Sequence, residues 1–138
     1  MKYILLVMFL AATLFGDELG WSDDYDKALQ QAKKEHKLVY VLVTSVDCGW
    51  CKKFERTTLQ DEGVKKRLKK EFVTVHFIRE LNFVPKQFKT APIPRHYFTD
   101  AKGNILYNSL GYRKVDTFMA FMDNAEEKYE MNQKEKKQ

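Results

Sequence analysis

The two cysteines of the chain, Cys48 and Cys51, are separated only by Gly49 and Trp50. They follow an apolar run at 38–43 and precede residues with helical spacing. A cysteine at such a strand-to-helix junction has its sulfur at a helix N-terminus, where backbone N–H groups and the helix dipole favour a thiolate. The second sulfur lies one turn further along, close enough for a small disulfide ring. This spacing predicts dithiol–disulfide exchange.

Two other uses of a close cysteine pair fit the sequence less well. A structural disulfide gains stability with the length of the loop that it closes, and two intervening residues close a very small loop. A structural zinc site needs four ligands. Besides its two thiols the chain offers His36, His76 and His96, and no two of them have the spacing of a zinc finger. We therefore expect redox exchange and no metal at this pair.

The composition favours one compact domain. At 138 residues with a hydrophobic fraction of 44%, the chain is long enough to bury a sizeable core. Its 24 Lys and Arg outnumber 19 Asp and Glu, for a formal net charge of +5, but the cations are scattered among the acids. A surface for nucleic acid is therefore not indicated.

Residues 1–16 predict export. Lys2 provides a positive start, and 3–15 is an apolar run of signal-peptide length. The run is shorter than the roughly 20 apolar residues that a membrane-spanning helix needs. A cleaved signal peptide and an uncleaved N-terminal anchor both stay open at this point. In either case we expect the domain to be periplasmic or otherwise exported.

The rest of the chain alternates helical and extended patterns, which we expect to form one domain at 17–125 and a charged, frayed tail at 126–138. The stretches with helical signals are 23–36, the cysteine motif through Leu59, Asp61 to Lys70, a weak segment at 82–89, and the residues from Val115 onward. The stretches with strand signals are 38–43, 72–78, 95–99 and 105–108. Ser22 or Asp23 is the expected cap of the first helix, and His36 its end.

This order of elements predicts an α/β fold. The first two strands are joined through helices, which requires a parallel crossover. The last two flank a turn at 100–104, which is a strong hairpin signal and adds antiparallel strands. The expected result is a mixed four-stranded sheet with helices on both faces.

With the cysteine motif on this order of elements, the chain resembles the thioredoxin superfamily. It is most similar to small exported thioredoxin-like proteins and to the C-terminal domain of DsbD-type thiol–disulfide interchange proteins. The resemblance covers residues 20–124, and the residues that carry it are Trp21, Ala28, Ala32, Lys33, the strand 38–43, Cys48 to Glu55, and Ile93-Pro94. It implies a thioredoxin-like fold.

The resemblance also implies a substrate-binding groove. Pro94 would be the cis-proline that lies across from the active-site helix, leaving the backbone of Ile93 free to pair with an extended peptide. Pro92 is a competing candidate, and Pro94 is preferred because it directly precedes the strand 95–99. An ordinary trans loop proline is the other interpretation. Trp50 would offer an aromatic surface to the apolar residues of a partner.

By the same resemblance, Cys48 would be the attacking thiolate and Cys51 the resolving thiol. Members of the superfamily often carry a buried acid in the strand before the motif, but 41–44 contains no carboxylate. Glu55 is the available substitute, and the DsbD-type domain has a glutamate at the matching position. The alternative is that Glu55 is an exposed helical acid paired with a neighbouring cation such as Lys52.

Trp50 and Arg95 depart from common patterns of the superfamily. A histidine at position 50 would stabilise the thiolate by its charge and make a strong oxidant, whereas tryptophan has no charge to offer. This argues against a strong oxidase and leaves a reductase or an isomerase open. Arg95 replaces the commoner threonine after the cis-proline. It would either favour acidic segments of a substrate or point to solvent.

The function that we expect is thiol–disulfide exchange that reduces or isomerises disulfides in other exported proteins. An alternative is a dedicated thiol reductant in cytochrome c maturation, and a non-catalytic binding module or chaperone is a different class. The expected partners are exported proteins with cysteines or disulfides and a membrane electron donor. We expect a monomer that uses no cofactor and does not bind nucleic acid.

Overall fold

A computed structural model describes residues 19–89 and 92–138 of the protein. The predicted signal peptide or anchor at 1–16 lies outside the described residues. The elements in chain order are α1 Tyr25–Glu35, β1 Leu38–Thr44, α2 Gly49–Arg56, a 3-10 turn Thr58–Gln60, α3 Glu62–Glu71, β2 Phe72–Ile78, a 3-10 turn Lys86–Phe88, β3 Arg95–Thr99, β4 Ile105–Leu110 and α4 Val115–Glu135. In this part of the chain, no helix is both long and apolar enough to cross a membrane.

The four strands form one mixed sheet in the order β2-β1-β3-β4. β1 and β2 are parallel, and both the β1–β3 and β3–β4 pairs are antiparallel. The predicted α/β fold with a mixed four-stranded sheet is therefore confirmed. β1 lies in the centre, and all seven of its residues are buried. Both faces of the strand are covered, which explains why its residues form a continuous apolar run.

The core has two layers, one on each face of the sheet. Tyr40 and Leu42 point to the face covered by α2, α3 and α4, where aromatic and aliphatic side chains of these helices pack against them. Val41 and Val43 point to the opposite face, which α1 and the segment before β3 cover. The alternation of side chains along β1 thus divides the core between the two helical layers.

Two predicted helix boundaries and one predicted helix are wrong. The motif helix α2 ends at Arg56, and Leu59 belongs to the separate 3-10 turn that follows. The cap of α1 is Asp24, whose carboxylate accepts the N–H of Lys27 at 3.1 Å. Ser22 is unavailable as the cap, because its backbone already pairs with β2 through Thr74 and His76. The segment at 82–89 forms only the 3-10 turn Lys86–Phe88. Pro85 disfavours a helical conformation in the residue before it, so no longer helix forms.

The charged stretch at the C-terminus is helical rather than frayed, since α4 continues to Glu135. Arg67 of α3 contacts this helix from the side, with Nη1 2.7 Å from Asp123 Oδ1 and Nη2 3.2 Å from Glu126 Oε2. Ala125 is fully buried on the same helix. These tertiary contacts hold α4 against α3 at the start of the charged stretch.

Candidate active site

Cys48 and Cys51 form a disulfide at the point where β1 gives way to α2. Their Cα atoms are 5.3 Å apart. Cys48 is the N-cap of α2 and has an extended backbone, and its Sγ accepts the N–H of Cys51 at 3.1 Å. Cys48 keeps 9% of its surface exposed and Cys51 only 1%. Cys48 is therefore the more exposed of the two cysteines, while Cys51 is almost completely covered.

Trp50 lies between the two cysteines in the chain and is 60% exposed. Its ring lies 5.9 Å from that of Tyr112, in the connection between β4 and α4. The Lys53 ammonium lies over both rings, 5.1 Å from the centroid of Trp50 and 4.8 Å from that of Tyr112. Trp50, Lys53 and Tyr112 thus form an aromatic surface with a cation at its edge, next to the more exposed cysteine.

The peptide bond between Ile93 and Pro94 is cis. Arg95, the next residue, is paired with Val43 near the end of β1, so this bond lies beside the strand that leads into the cysteine motif. The carbonyl oxygen of Pro94 accepts the N–H of Gly111 at 2.8 Å. Ile93 is half-buried, Pro94 is buried, and the competing candidate Pro92 is exposed.

His96 anchors the segment around Pro94 through hydrogen bonds that involve Gly111. The sequence analysis missed the importance of this histidine. His96 is fully buried on β3. Its Nε2 lies 2.8 Å from the carbonyl oxygen of Gly111, and its Nδ1 lies 2.8 Å from the hydroxyl of Tyr40. Because a carbonyl only accepts, Nε2 carries the hydrogen and Nδ1 accepts the Tyr40 hydroxyl hydrogen. Burial lowers the pKa of His96 to about 4, so the imidazole is neutral.

Glu55 lies one helical turn after Cys51 and is half-buried. Its Oε1 is 3.7 Å from Nε2 of His76 on β2, and the same nitrogen is 2.8 Å from the hydroxyl of Thr44. Burial raises the pKa of Glu55, with the charge of Lys52 acting in the opposite direction. Burial also lowers the pKa of His76. Glu55 thus meets a half-buried histidine rather than only the solvated cations of its own helix.

Arg95 does not extend freely into the groove. Its Nη2 donates to Asn108 Oδ1 at 2.9 Å, and its guanidinium lies over the ring of Tyr97, 5.8 Å from the centroid. Tyr97 belongs to the core layer on the α1 face of the sheet. The side chain of Arg95 is therefore directed to the face opposite α2 and its cysteines.

The sequence-predicted site residues fall into two groups in the structure. Cys48 and Trp50 lie in the motif itself, and Ile93 and Pro94 directly precede Arg95, which pairs with Val43 near the end of β1. Glu55 on α2 faces His76 on the strand β2. The fold and this arrangement support a protein of the thiol–disulfide oxidoreductase class, in which a covered and a more exposed cysteine share one small disulfide ring.

The family profile described as a thioredoxin-like domain matches residues 25–126. The chain belongs to this family. The DsbH oxidoreductase is similar in structure, with 26% identity, coverage of 78% of this chain and 83% of that one, and a TM-score of 0.58. The C-terminal domain of DsbD from Neisseria meningitidis, in its oxidised form, has 17% identity, coverage of 73% and 91%, and a TM-score of 0.58.

Among curated proteins, Anterior gradient protein 3 of Mus musculus is 22% identical over 86 residues. The match covers 62% of this chain and 52% of that relative. The chain thus spans about half the length of the curated relatives that it matches. The predicted resemblance to the thioredoxin superfamily, including the likeness to DsbD-type domains, is confirmed.

Proposed function

We propose that the protein is an exported thiol–disulfide oxidoreductase that reduces or isomerises disulfides in other exported proteins. The unequal exposure of the two disulfide-bonded cysteines, 9% for Cys48 and 1% for Cys51, is the observation that carries this proposal. The more exposed cysteine, at the N-terminus of α2, is suited to attack a partner. The covered cysteine one turn along is suited to release that partner afterwards.

The reaction begins with the reduced pair. The thiolate of Cys48 attacks one sulfur of a substrate disulfide, which forms a mixed disulfide and releases the other substrate sulfur as a thiolate. Cys51 then loses its proton and attacks Cys48 Sγ. The second substrate thiolate leaves, and the protein has the Cys48–Cys51 disulfide. Two electrons have passed to the substrate, so an external dithiol must reduce the protein again, and we assign this step to a membrane electron donor.

The surroundings of Cys48 suit an extended polypeptide. Trp50 is exposed beside it, and the backbone of Ile93 precedes the cis bond to Pro94 at the end of the sheet. A substrate segment would pair with the backbone at Ile93 by adding an extended strand, and its apolar side chains would contact Trp50. This mode of binding places a substrate sulfur next to Cys48 without requiring a particular sequence.

Trp50 also supports reduction or isomerisation over oxidation. A positively charged group at this position would stabilise the Cys48 thiolate and so make the disulfide a stronger oxidant. The indole of Trp50 carries no charge, and the ammonium of Lys53 lies over the aromatic rings of Trp50 and Tyr112. The export part of the proposal rests on the sequence of residues 1–16, and fractionation of cells that produce the full chain tests it.

Trapping of mixed disulfides tests the exchange reaction. In Cys51→Ala the release step is blocked, so partners should accumulate on Cys48 as adducts that disappear on reduction. Cys48→Ala is the matched control and should trap nothing. If Cys51→Ala forms no adducts with proteins of the exported fraction, the proposal fails and a non-catalytic binding module is favoured. Adducts confined to CxxCH haem-attachment proteins would instead indicate the dedicated role in cytochrome c maturation.

A further inference from the structure

Glu80 joins two neighbouring loops at the end of the sheet from which the cysteine motif starts. Its Oε1 accepts the hydroxyl hydrogen of Ser45 at 2.6 Å, and its Oε2 accepts the N–H of Val46 at 3.1 Å. Ser45 and Val46 belong to the β1–α2 connection, residues 45–47, which Cys48 follows directly. Both oxygens of one carboxylate are thus used on the segment that leads to this cysteine.

The turn that carries Glu80 is itself firmly held. The N–H of Asn82 donates to the carbonyl oxygen of Ile78, the last residue of β2, at 2.9 Å. The side chain of Asn82 accepts the N–H of Ile78 in return, at 2.7 Å. The N–H of Arg79 donates to the carbonyl oxygen of Thr44 at 3.0 Å, which continues the pairing of β1 with β2. Because the backbone on both sides of Glu80 is fixed, its carboxylate can anchor the β1–α2 connection.

The β1–α2 connection buries little surface of its own. Val46 is 51% exposed, Asp47 is exposed and Ser45 is half-buried. A loop with so few buried contacts opens easily unless hydrogen bonds hold it. The bonds to Glu80 are of the stronger, charge-assisted kind, since those from Ser45 and Val46 lower the pKa of Glu80 and keep it ionised at neutral pH.

The thiolate of Cys48 depends on where this connection places it. Cys48 is the N-cap of α2 and has an extended backbone, and its Sγ accepts the N–H of Cys51 in the disulfide form. After reduction, the N–H groups and the dipole of the first helical turn stabilise a thiolate there. This stabilisation falls off within one turn, so it requires that the chain enter the helix in one direction. Val46, two residues before Cys48, takes part in setting that direction.

We propose that Glu80 is a positioning residue for Cys48, which holds the β1–α2 connection so that the Cys48 thiolate stays at the N-terminus of α2. This inference rests on the proposed exchange function and deepens it, because Cys48 is the attacking sulfur of that reaction. Glu80 neither forms a bond to the substrate nor transfers a proton. It acts through its hydrogen bonds to Ser45 and Val46.

The charge of Glu80 by itself would have the opposite effect on Cys48. A carboxylate near a thiol disfavours a second negative charge and so raises the pKa of the thiol. Glu80 is exposed, so water and salt screen its charge, whereas its hydrogen bonds act by direct contact. Loss of the hydrogen bonds should therefore raise the pKa of Cys48, and loss of the charge alone should lower it.

Glu80→Gln and Glu80→Ala separate contact from charge. Glutamine can accept the N–H of Val46 with its carbonyl oxygen and donate to the Ser45 hydroxyl with its amide, so it keeps the contacts without the charge. Alanine removes both. Each variant is made in a full-length parent protein with Cys51→Ala, in which Cys48 is the one thiol. Its reaction with 2,2′-dithiodipyridine is followed from about pH 5 to about pH 9, a range that brackets an ordinary thiol.

We expect Glu80→Ala to move the midpoint of the pH–rate profile about one pH unit upward, toward that of an ordinary thiol. The rate at neutral pH should fall by about threefold, which is less than the loss of thiolate because a more basic thiolate is the better nucleophile. Glu80→Gln should keep the midpoint of the parent. Glu127→Ala removes an exposed acid from α4 instead, and this matched control should behave as the parent does.

Ser45→Ala tests the contact from its other end. It should raise the midpoint by less than Glu80→Ala does, because Val46 keeps its bond to Glu80. Combined with Glu80→Ala it should have no further effect, since the partner of Ser45 is then already absent. Ser45 and Glu80 both lie at the surface, so both variants should fold, and either one carries the test.

The outcomes are distinguishable. A higher midpoint in Glu80→Ala supports the positioning role, because loss of charge acts in the other direction. A lower midpoint in both Glu80→Gln and Glu80→Ala would overturn it, since Cys48 would then respond to the charge, and unchanged midpoints in Glu80→Ala and Ser45→Ala would overturn it as well. A parent protein whose midpoint equals that of the urea-unfolded chain would instead contradict the proposed function, because Cys48 would be an ordinary thiol.

Discussion

His96 donates its Nε2–H to the carbonyl oxygen of Gly111 across 2.8 Å, inside the core. The N–H of Gly111 in turn donates to the carbonyl of Pro94, again across 2.8 Å. A buried, neutral imidazole thus fixes the connection that carries the cis-proline, and its other nitrogen is satisfied by the Tyr40 hydroxyl. The position of the cis-proline segment depends on these hydrogen bonds, which run from Tyr40 through His96 and Gly111 to Pro94.

Stability should fall as the pH falls from about 6.5 to about 4. His96 has a pKa of about 4 in the folded protein because it is buried, and an ordinary value near 6.5 when unfolded. In this window the unfolded chain binds a proton that the folded chain does not. The free energy of unfolding therefore decreases by up to about 1.4 kcal/mol per pH unit, and it does not change on this account above pH 6.5. The lowered pKa of His76 acts with the same sign.

His96→Gln is the variant for this measurement. Glutamine can still donate to Gly111 but does not titrate, and the Tyr40 hydroxyl loses a well-placed acceptor. We expect a loss of about 1–3 kcal/mol at pH 7 and a shallower decrease of stability between pH 6.5 and 4.5. Urea unfolding at several pH values gives both quantities. Equal slopes in the variant and the wild type would contradict the assignment of a neutral, buried His96.

Alkylation should distinguish the two cysteines of the reduced protein. Cys48 is more accessible than Cys51 and lies at a helix N-terminus that stabilises a thiolate, so iodoacetamide should modify it first. Its rate should reach half-maximum below about pH 8.5, the region of an ordinary thiol. Mass spectrometry of quenched samples identifies the modified residue. The urea-unfolded chain is the control, in which the cysteines should react alike, and a folded Cys48 with that same profile would count against its role as nucleophile.

The reduction potential of the Cys48–Cys51 couple should lie nearer to that of thioredoxin, about −270 mV, than to that of DsbA, about −120 mV. The reason is the uncharged indole of Trp50 between the cysteines. Trp50→His places a titratable cation beside the Cys48 thiolate and should make the couple more oxidising by roughly 30 mV, a tenfold change in the equilibrium constant. Equilibration with glutathione or dithiothreitol buffers measures both proteins. A wild-type potential near that of DsbA would exclude the proposed direction of electron flow.

Some features of the chain follow from signals within a few residues of one another. The strand β1 was predicted from its apolar run, and α3 from a helical signal that begins at Asp61, the residue whose carboxylate accepts the N–H of Val64. His36 ends α1 as predicted. The cysteine motif at the junction of β1 and α2 has the same local origin. These features need only the neighbouring sequence, because hydrogen bonds and side-chain alternation over a few residues determine them.

Other features depend on contacts that no local pattern reports. Ser22 could not cap α1 because it pairs with β2, whose residues lie more than fifty positions further along the chain. The charged end of α4 is helical although its own residues predict fraying, and Arg67 and the buried Ala125 hold the beginning of this stretch against the domain. Here tertiary packing overrides local preference.

The candidate site shows the same division. By itself, the sequence determined the close cysteine pair, its place after a central strand and the proline that follows in the chain. Only the tertiary structure decided that Cys51 is the covered cysteine, that Glu55 meets His76, and that His96 holds the segment around Pro94 through Gly111. The reason is physical, since burial and the pKa changes that it causes depend on which distant side chains surround a group. Such surroundings exist only once the sheet and its helices have packed.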